Sequence, residues 1–221
     1  MRNPVDRLTR GLPHPLRVAV DWLVTIVGAI AIVLAVKAWV VNPYRIPSSS
    51  MEPTLHCARP GNDCRARFSD RVLANRFLYR FKEPERGDLI VFQTPPEAVA
   101  RCGAGGTFVK RLIALPGEEW RMENGVVYVD GRRLQEPYLR PSRRGTDTQP
   151  ERTVPPEHYV MMGDNRTMSC DSRAWGPVAR GNLIGKVFAV YWPPNRISLS
   201  VGAALLALGA VVPLPGVRRR P

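Results

Sequence analysis

A run of twenty residues, 22–41, is apolar except for Thr25 and Lys37. At a rise of 1.5 Å per residue, about twenty helical residues span the roughly 30 Å hydrocarbon core of a bilayer. A cleaved signal peptide is the alternative, but its apolar core is shorter, about 7–15 residues, and no convincing small-x-small cleavage site follows the run. The run therefore predicts an uncleaved transmembrane anchor, with Asp21 at the helix start and Lys37 snorkelling near the far end.

Basic residues flank the apolar sequence, and the formal net charge is +13. Four arginines precede the anchor, so the positive-inside rule places residues 1–21 in the cytoplasm and residues 42–196 outside. A second apolar stretch, 197–214, predicts a second transmembrane helix, followed by a basic cytoplasmic tail, 215–221. Because this stretch is of borderline length, an interfacial helix or a loose tail is the alternative. A basic excess placed beside apolar segments argues against nucleic-acid binding.

The middle of the chain, 43–194, has the pattern of β-structure and contains no long amphipathic helix. Short apolar or alternating runs predict strands at 71–74, 88–92, 108–113, 158–162 and 183–191. The dipeptides Asn124-Gly125 and Asp130-Gly131 predict tight hairpin turns. The expected fold is mainly β, a coiled antiparallel β-sheet domain. Residues 140–156, rich in Pro, Arg, Thr and Gly, are expected to form an exposed insertion or mobile loop.

Four cysteines lie in the middle portion of the chain and show no CxxC spacing. The three histidines do not cluster with them at zinc spacing, so neither a metal site nor a cofactor is predicted. Outside the cytoplasm disulfides are permitted. Cys57 and Cys64 bracket a short Pro-Gly-Asn-Asp loop and are the favoured local pair. Cys102 and Cys170 are also able to pair, and free thiols are the alternative.

One lysine stands out by composition, because only four of the 32 basic residues are lysines. Lys110 interrupts the apolar run 108–113, whereas Ser50 ends a serine run directly after the anchor. Arginine stays protonated and cannot take a proton from serine, but burial lowers the pKa of a lysine until it can. The pair therefore suggests a Ser-Lys hydrolase at a membrane surface. The alternative is a snorkelling lysine whose stem is packed and whose amine lies in water.

Four segments, in order, resemble the type I signal (leader) peptidases, membrane-anchored serine proteases that remove secretory signal peptides. They are Ile46–Leu55, Arg86–Phe92, Phe108–Glu118 and Met162–Gly176. Each is weak alone, but together, after an N-terminal anchor, they are highly specific. The resemblance implies a catalytic β domain without a cofactor, in the plasma (inner) membrane. It further implies a monomer whose partners are secretory preproteins and the lipid bilayer, and no nucleic acid.

The resemblance also implies roles for single residues. Ser50 attacks the scissile carbonyl, and neutral Lys110 takes its proton. Ser169 orients the lysine amine, while the Ser50 backbone N–H and the Ser48 hydroxyl stabilise the oxyanion. Five further residues are interpreted as scaffold rather than chemistry: Gly163, Asp164, Asp171, Ser172 and Arg173.

Pocket positions and three departures complete the comparison of residues. Ile46 and Val109 match the walls of shallow apolar pockets that select small residues, such as alanine, at the first and third positions before the cut. Ser49 stands where the family usually has glycine, so the turn must accept a side chain. Thr167-Met168 replaces a more polar pair, and Cys170 follows the orienting serine, which leaves substrate preference and oxidation sensitivity open.

Rival functions differ in what they require of the chain. A self-cleaving repressor requires an N-terminal DNA-binding domain, and this chain has an apolar segment there. A conjugation-type peptidase has the same dyad and matures one particular substrate, so the motifs do not separate it from a general enzyme. A non-catalytic membrane-anchored β domain that binds signal peptides does not need both Ser50 and Lys110.

Overall fold

A single long helix precedes a β-rich domain in the part of the chain that the structure, a computed structural model, describes: residues 13–39 and 41–199. The helix is α1, His14–Trp39, and two short helices, α2 (Glu97–Cys102) and α3 (Ser172–Trp175), lie among the strands. The strands are β1 Val41–Arg45, β2 Arg71–Asn75, β3 Leu89–Gln93, β4 Thr107–Ala114, β5 Glu119–Glu123, β6 Val126–Val129, β7 Arg132–Arg133, β8 Gln149–Thr153, β9 His158–Met162, β10 Val178–Ala179, β11 Leu183–Trp192 and β12 Ser198–Leu199.

Helix α1 begins eight residues before the predicted anchor. Pro15 lies in its first turn, where proline is tolerated because those N–H groups have no intrahelical partner. Asp21 therefore lies inside the helix and not at its start, and its carbonyl accepts a 2.8 Å hydrogen bond from the Thr25 hydroxyl. Among the described residues, the 21-residue segment His14–Leu34, which contains an 18-residue window of mean hydropathy 2.1, is long and apolar enough to cross a bilayer.

The strands form two sheets, and every pairing among the described strands is antiparallel. The large sheet has the order β1-β2-β11-β3-β4-β9-β10, with β12 paired to β11. The small sheet has the order β7-β6-β5-β8. Register shifts in β11 and between β4 and β9 bend the large sheet and increase its coiling. The prediction of a mainly β, antiparallel domain is confirmed.

Strand β3 shows how the large sheet is buried on both faces. Leu89 and Val91 pack into one hydrophobic cluster, and Ile90 and Phe92 pack into another on the opposite face. This alternation follows from the two-residue period of a strand, and burying each such side chain contributes roughly 1.5–3 kcal/mol. A third cluster, around Trp120, joins the large sheet to the small one. The serine segment and the lysine strand are therefore supported by well-packed hydrophobic clusters.

Both predicted hairpin turns are confirmed by their backbone angles. The φ angles are 46° and 76° at Asn124 and Gly125, and 48° and 72° at Asp130 and Gly131. Positive φ at both central residues is the signature of the type I′ turn, which matches the twist of the flanking strands. These turns connect β5, β6 and β7.

Two expectations about segments need correction or lie beyond the described residues. Residues 140–156 are mostly exposed, as expected, but they are not a loop throughout: Pro141–Arg143 form a 3-10 turn, and β8 pairs with β5. Strand β8 is almost entirely exposed, so it lacks the apolar alternation that reveals a strand in sequence. The second predicted transmembrane helix, 197–214, lies outside the described residues from position 200 onward, and Ser198–Leu199 form β12 instead.

A buried ion pair ties β4 to the segment after β9. Arg111 donates from Nε and Nη2 to the two carboxylate oxygens of Asp164 at 2.8 and 2.6 Å. The side chains of Arg111 and Asp164 are 4% and 0% exposed. The guanidinium also donates to the Gly87 carbonyl at 2.8 Å and lies 3.8 Å from the ring centre of Tyr138. Losing one partner of such a pair leaves an unpaired buried charge.

We expect Asp164→Asn to lower the free energy of unfolding by about 3–5 kcal/mol, the usual effect of breaking a buried ion pair. Thermal or urea unfolding of the full chain in detergent measures this. Glu85→Gln is the matched control, because it also removes one carboxylate but from a solvent-exposed pair with Lys82. Equal unfolding midpoints for the two variants would contradict the assignment.

Candidate active site

Ser50 lies in a single 3-10 turn, Ser49–Met51, which follows β1. The Asn165 backbone N–H donates to the Ser50 carbonyl at 3.0 Å, and its side-chain amide donates to the Ser49 carbonyl at 3.1 Å. Met51 is buried in the core below the turn. Ser49 is also buried and is not among the residues with positive φ, so the turn accepts a side chain where glycine is usual. The position of Ser50 is therefore fixed from both sides.

Lys110 lies on β4 opposite Ile90 of β3 and is only 2% exposed. Its amine donates a 3.0 Å hydrogen bond to the Ser169 hydroxyl. Burial lowers the pKa of Lys110 from its ordinary value of 10.5 to about 8. The Asp171 carboxylate opposes this change and the Arg173 guanidinium adds to it. The snorkelling alternative is thus wrong, because the amine is buried.

The loop that carries Ser169 is held by charged side chains. Arg173 donates to the Ser169 carbonyl at 2.9 Å and, through Nε, to Asp171 at 2.8 Å. The other Asp171 oxygen accepts the Gly163 backbone N–H at 3.0 Å. Gly163 has no room for a Cβ, because one built there collides with the Ser169 hydroxyl and the Ser50 carbonyl. These contacts give the residues interpreted as scaffold a direct structural role.

A cavity of about 360 Å³, here named the serine cleft, brings five of the six predicted site residues together; the sixth, Ser169, lines a neighbouring cavity. Its lining comprises the serine segment, the first half of β4 and four residues of neighbouring segments: residues 44–51, 107–110, Cys102, Ala104, Met168 and Cys170. Ser48, Ser50 and Lys110 all line it, as do both predicted pocket residues, Ile46 and Val109. A larger cavity of about 860 Å³, beside Arg76 and Arg180, contains none of the predicted site residues.

Two serine hydroxyls in the cleft lie close together without substrate. Ser50 Oγ is 3.3 Å from Ser48 Oγ. Among the described residues, Ser50 forms no side-chain hydrogen bond to Lys110, whose amine bonds Ser169 instead. Catalytic hydrogen bonds are often long or misaligned before substrate binds. Nucleophile and base thus share one cleft, without a direct hydrogen bond between them before substrate binds.

The edge of β4 offers backbone groups to an extended peptide. Strand β4 pairs with β3 from Thr107 to Arg111, but it pairs with β9 only from Arg111 onward. Within the described chain, the stretch 107–110 therefore has one edge without a strand partner, and this stretch lines the serine cleft. An unpaired strand edge binds peptides by adding a strand to the sheet.

Both cysteine pairs that the sequence allows are bonded, Cys57 to Cys64 and Cys102 to Cys170. The second disulfide joins the end of α2 to the loop directly after Ser169, and both of its cysteines line the serine cleft. The free-thiol alternative is thus wrong for these four residues. The disulfide also fixes one wall of the cleft.

Two residues of the resembling segments, Asn165 and Arg111, have structural roles that the sequence does not predict. Asn165 donates a hydrogen bond to the serine turn. Arg111 binds Asp164, which directly precedes Asn165 in the chain. The available signal was the polar Asp-Asn-Arg triplet immediately after an apolar strand, where buried polar groups need partners. Nothing in the sequence indicated that Cys102 and Cys170 line the cleft.

Comparisons with known proteins identify the family of the chain. Residues 19–192 match the family model described as signal peptidase, peptidase S26. A protein named "Probable signal peptidase I-2", from Synechocystis sp., is 37% identical over 79% of this chain and 74% of its own length. A signal peptidase I of Mycobacterium tuberculosis is 34% identical over 80% of this chain and 73% of its own length. A solved signal peptidase I from Enterococcus faecalis is 31% identical and covers 48% of this chain and 97% of its own, with a TM-score of 0.39, too low to bear on the fold.

Burial of the lysine predicts a pH-dependent cost in stability. Below about pH 8 both the folded and the unfolded chain carry the proton, so folding must bury a charge. Between about pH 8 and 10.5 only the unfolded chain keeps it, so stability due to this group rises with pH. We expect Lys110→Met to be more stable than the parent at pH 7 by a few kcal/mol, at about 1.4 kcal/mol per pKa unit.

Unfolding of both proteins at pH 7 and at pH 9.5 measures this effect. The difference should shrink at the higher pH. Lys82→Met is the control, because Lys82 is exposed and should give the same difference at both pH values. A Lys110→Met variant that is no more stable than the parent at pH 7 would show that the buried amine does not destabilise the folded chain.

Proposed function

Because the chain belongs to the signal peptidase family, peptidase S26, we propose that it cleaves N-terminal signal peptides from secreted preproteins after small residues, with Ser50 and Lys110 as a Ser-Lys dyad. The observation that carries the proposal is a fully buried lysine, with its pKa lowered to about 8, in the same cleft as the serine. A buried lysine is costly to folding, and a binding domain without chemistry has no use for it.

Acylation begins with transfer of the Ser50 hydroxyl proton to neutral Lys110. The serine oxygen forms a bond to the scissile carbonyl carbon, and the carbonyl oxygen becomes an oxyanion. When this intermediate collapses, the C–N bond breaks and Lys110 returns the proton to the leaving amine. The mature chain departs, and the signal peptide stays bound as an ester of Ser50.

Deacylation repeats the same proton transfers with water as the nucleophile. Lys110 takes a proton from water as the water oxygen attacks the ester carbon. The ester C–O bond then breaks, and the proton returns to the Ser50 oxygen. Ser169, which accepts a hydrogen bond from the amine at 3.0 Å, keeps the lysine aimed at both reactions.

The oxyanion requires hydrogen-bond donors fixed before the reaction. The Ser48 hydroxyl, 3.3 Å from the Ser50 hydroxyl, and the Ser50 backbone N–H are the proposed donors. The Ser50 peptide is held by Asn165, so its N–H does not need to reorganise when charge develops. Loss of one such donor typically lowers kcat by about 10²–10³.

The substrate lies, in this proposal, as an extended strand along the free edge of β4. The side chains before the cut, on the signal-peptide half, then pack toward Ile46, which is buried, and Val109, which is partly buried. Aliphatic walls at these two positions leave space for small side chains only. This accounts for cleavage after alanine or a similar residue.

Membrane attachment completes the proposal. Helix α1 is the anchor, because its apolar side chains up to Leu34 are exposed in the described structure and suit a lipid environment. Arginines before the apolar run place the N-terminus in the cytoplasm and the β domain on the extracytoplasmic side of the plasma (inner) membrane. Residues 197–214 are proposed as a second span and 215–221 as a cytoplasmic tail.

Replacement of the base separates proton transfer from charge. Lys110→Arg keeps a positive charge but cannot accept a proton, so we expect it to lose activity by at least about 10², the lower range for general-base catalysis. In the parent, the rate of acylation should rise with pH through about 8, because only the neutral amine acts as a base.

Cleavage of a model preprotein by the full chain in detergent or proteoliposomes measures both effects. Lys82→Arg is the matched control, because Lys82 is exposed and should tolerate the change. Substantial turnover by Lys110→Arg would refute the dyad and leave Lys110 as a positional charge.

Pocket residues control the residue before the cut. We expect a substrate with phenylalanine in place of alanine at that position to resist cleavage, because overfilling a packed pocket costs about 1–3 kcal/mol or more. Ile46→Ala combined with Val109→Ala should enlarge the pocket and permit alternative cut sites. Mass spectrometry of the products identifies each site. Full activity at unchanged sites would show that these residues do not line the pocket for substrate.

A further inference from the structure

Met168 is an apolar side chain that the fold does not use. It lies in the loop between β9 and α3, it is 49% exposed, and it belongs to none of the three hydrophobic clusters. An exposed apolar residue is unremarkable on a mobile loop, but not beside reacting groups on a fixed one. Its immediate neighbour is Ser169, which bonds the Lys110 amine.

The loop that carries Met168 is held rigid. The Met168 N–H donates to the Asn165 carbonyl at 3.1 Å. Arg173 donates to the carbonyls of Arg166 and Ser169, both at 2.9 Å, on either side of Met168. The disulfide from Cys170 to Cys102 then fixes the loop to α2. The exposed thioether is therefore presented in a defined position.

Met168 lines two cavities, as does Cys170. One is the serine cleft, and the other is a cavity of about 500 Å³, here named the loop cavity. The loop cavity is also lined by Ser169, Arg173 and Asp147. Both arginines that line it are already paired: Arg173 contacts Asp171 and Asp147, and Arg166 contacts Glu136. A charged ligand would thus find no free counter-ion in this cavity.

The two cavities can be assigned to the two halves of the substrate, the signal peptide and the mature chain. This step rests on the proposed function. The signal-peptide half of the substrate lies in the serine cleft toward Ile46 and Val109. The leaving amine receives its proton from Lys110, so the start of the mature chain lies beside the lysine amine, whose hydrogen-bond partner Ser169 lines the loop cavity. We propose that the loop cavity binds the first residues of the mature chain, and that Met168 contacts the first side chain after the cut.

The chemistry of the contact predicts the preferred substrate. A thioether is apolar and polarisable, and it makes favourable contacts with aliphatic and aromatic groups. An acidic residue placed against it loses water and gains no counter-ion. The substrates favoured at this position are therefore preproteins whose mature chain begins with an apolar or aromatic residue, and those beginning with aspartate are cut slowly.

The test uses one preprotein with phenylalanine, leucine, serine or aspartate as the first mature residue. We expect the parent enzyme to cut the phenylalanine and leucine substrates about tenfold faster in kcat/KM than the aspartate substrate, the low end for one hydrophobic contact. Met168→Ser should remove this preference, and Met168→Leu should retain it. Phe81→Ser is the matched control, because Phe81 is 76% exposed and lines neither cavity.

Single-turnover kinetics separates a contact with the mature chain from a general defect. The mature chain has left before deacylation, so Met168→Ser should change the acylation ratio among the four substrates and leave the deacylation rate as in the parent. An unchanged ranking in Met168→Ser, or no ranking in the parent, would overturn the assignment of Met168 alone. Failure of the parent to cleave any of the substrates would overturn the proposed function itself.

Discussion

A lysine amine buried on a strand is the constraint on which the site depends. Lys110 is placed by β4, which is paired to β3 along its whole first half, so its backbone cannot move the amine into water. Burial makes the charged form unfavourable, and the Ser169 hydroxyl accepts a hydrogen bond from the amine in place of the lost solvent. The result is an amine that is partly neutral near physiological pH, as the proposed general base requires.

Arginine pairs keep the surroundings of that amine electrically constant. Arg111 with Asp164, Arg166 with Glu136 and Arg173 with Asp171 are all buried pairs around the two loops of the site. Arginine does not lose its proton at any working pH, so these pairs hold the loops while the lysine alone changes charge. This explains why a chain with only four lysines among 32 basic residues has one here.

The sequence predicted the parts of the fold that have a local signal. Apolar alternation identified the strand around Lys110, and two Gly-containing dipeptides identified the I′ turns. Strand β8 was missed because an exposed edge strand has no apolar pattern, and the first turns of α1 were missed because arginine and proline interrupt the apolar run. Local signals cannot report partners distant in sequence.

Contacts between distant segments account for the rest of the site. Neither the bond from Asn165 to the serine turn nor the disulfide at the cleft follows from local pattern, because each joins residues more than sixty positions apart. The closeness of Ser50 and Ser169 depends on a glycine, Gly163, whose lack of a side chain matters only when both loops meet. The order of the four motifs identified the segments that contain these residues, and their packing explains why the segments meet.

Chain connectivity gives a last reason for the position of the nucleophile. Strand β1 begins two residues after α1 ends at Trp39, and the serine turn begins four residues after β1. Eleven residues at a maximum of about 3.6 Å each limit the distance from the helix end to Ser50 to about 40 Å. If α1 is the anchor, the serine is tied near the bilayer surface, where a signal peptide that spans the membrane presents its carboxyl end. Because α1 leads directly into β1 of the sheet that also contains the lysine strand, an anchored α1 would hold the serine cleft beside the membrane in which the substrate lies.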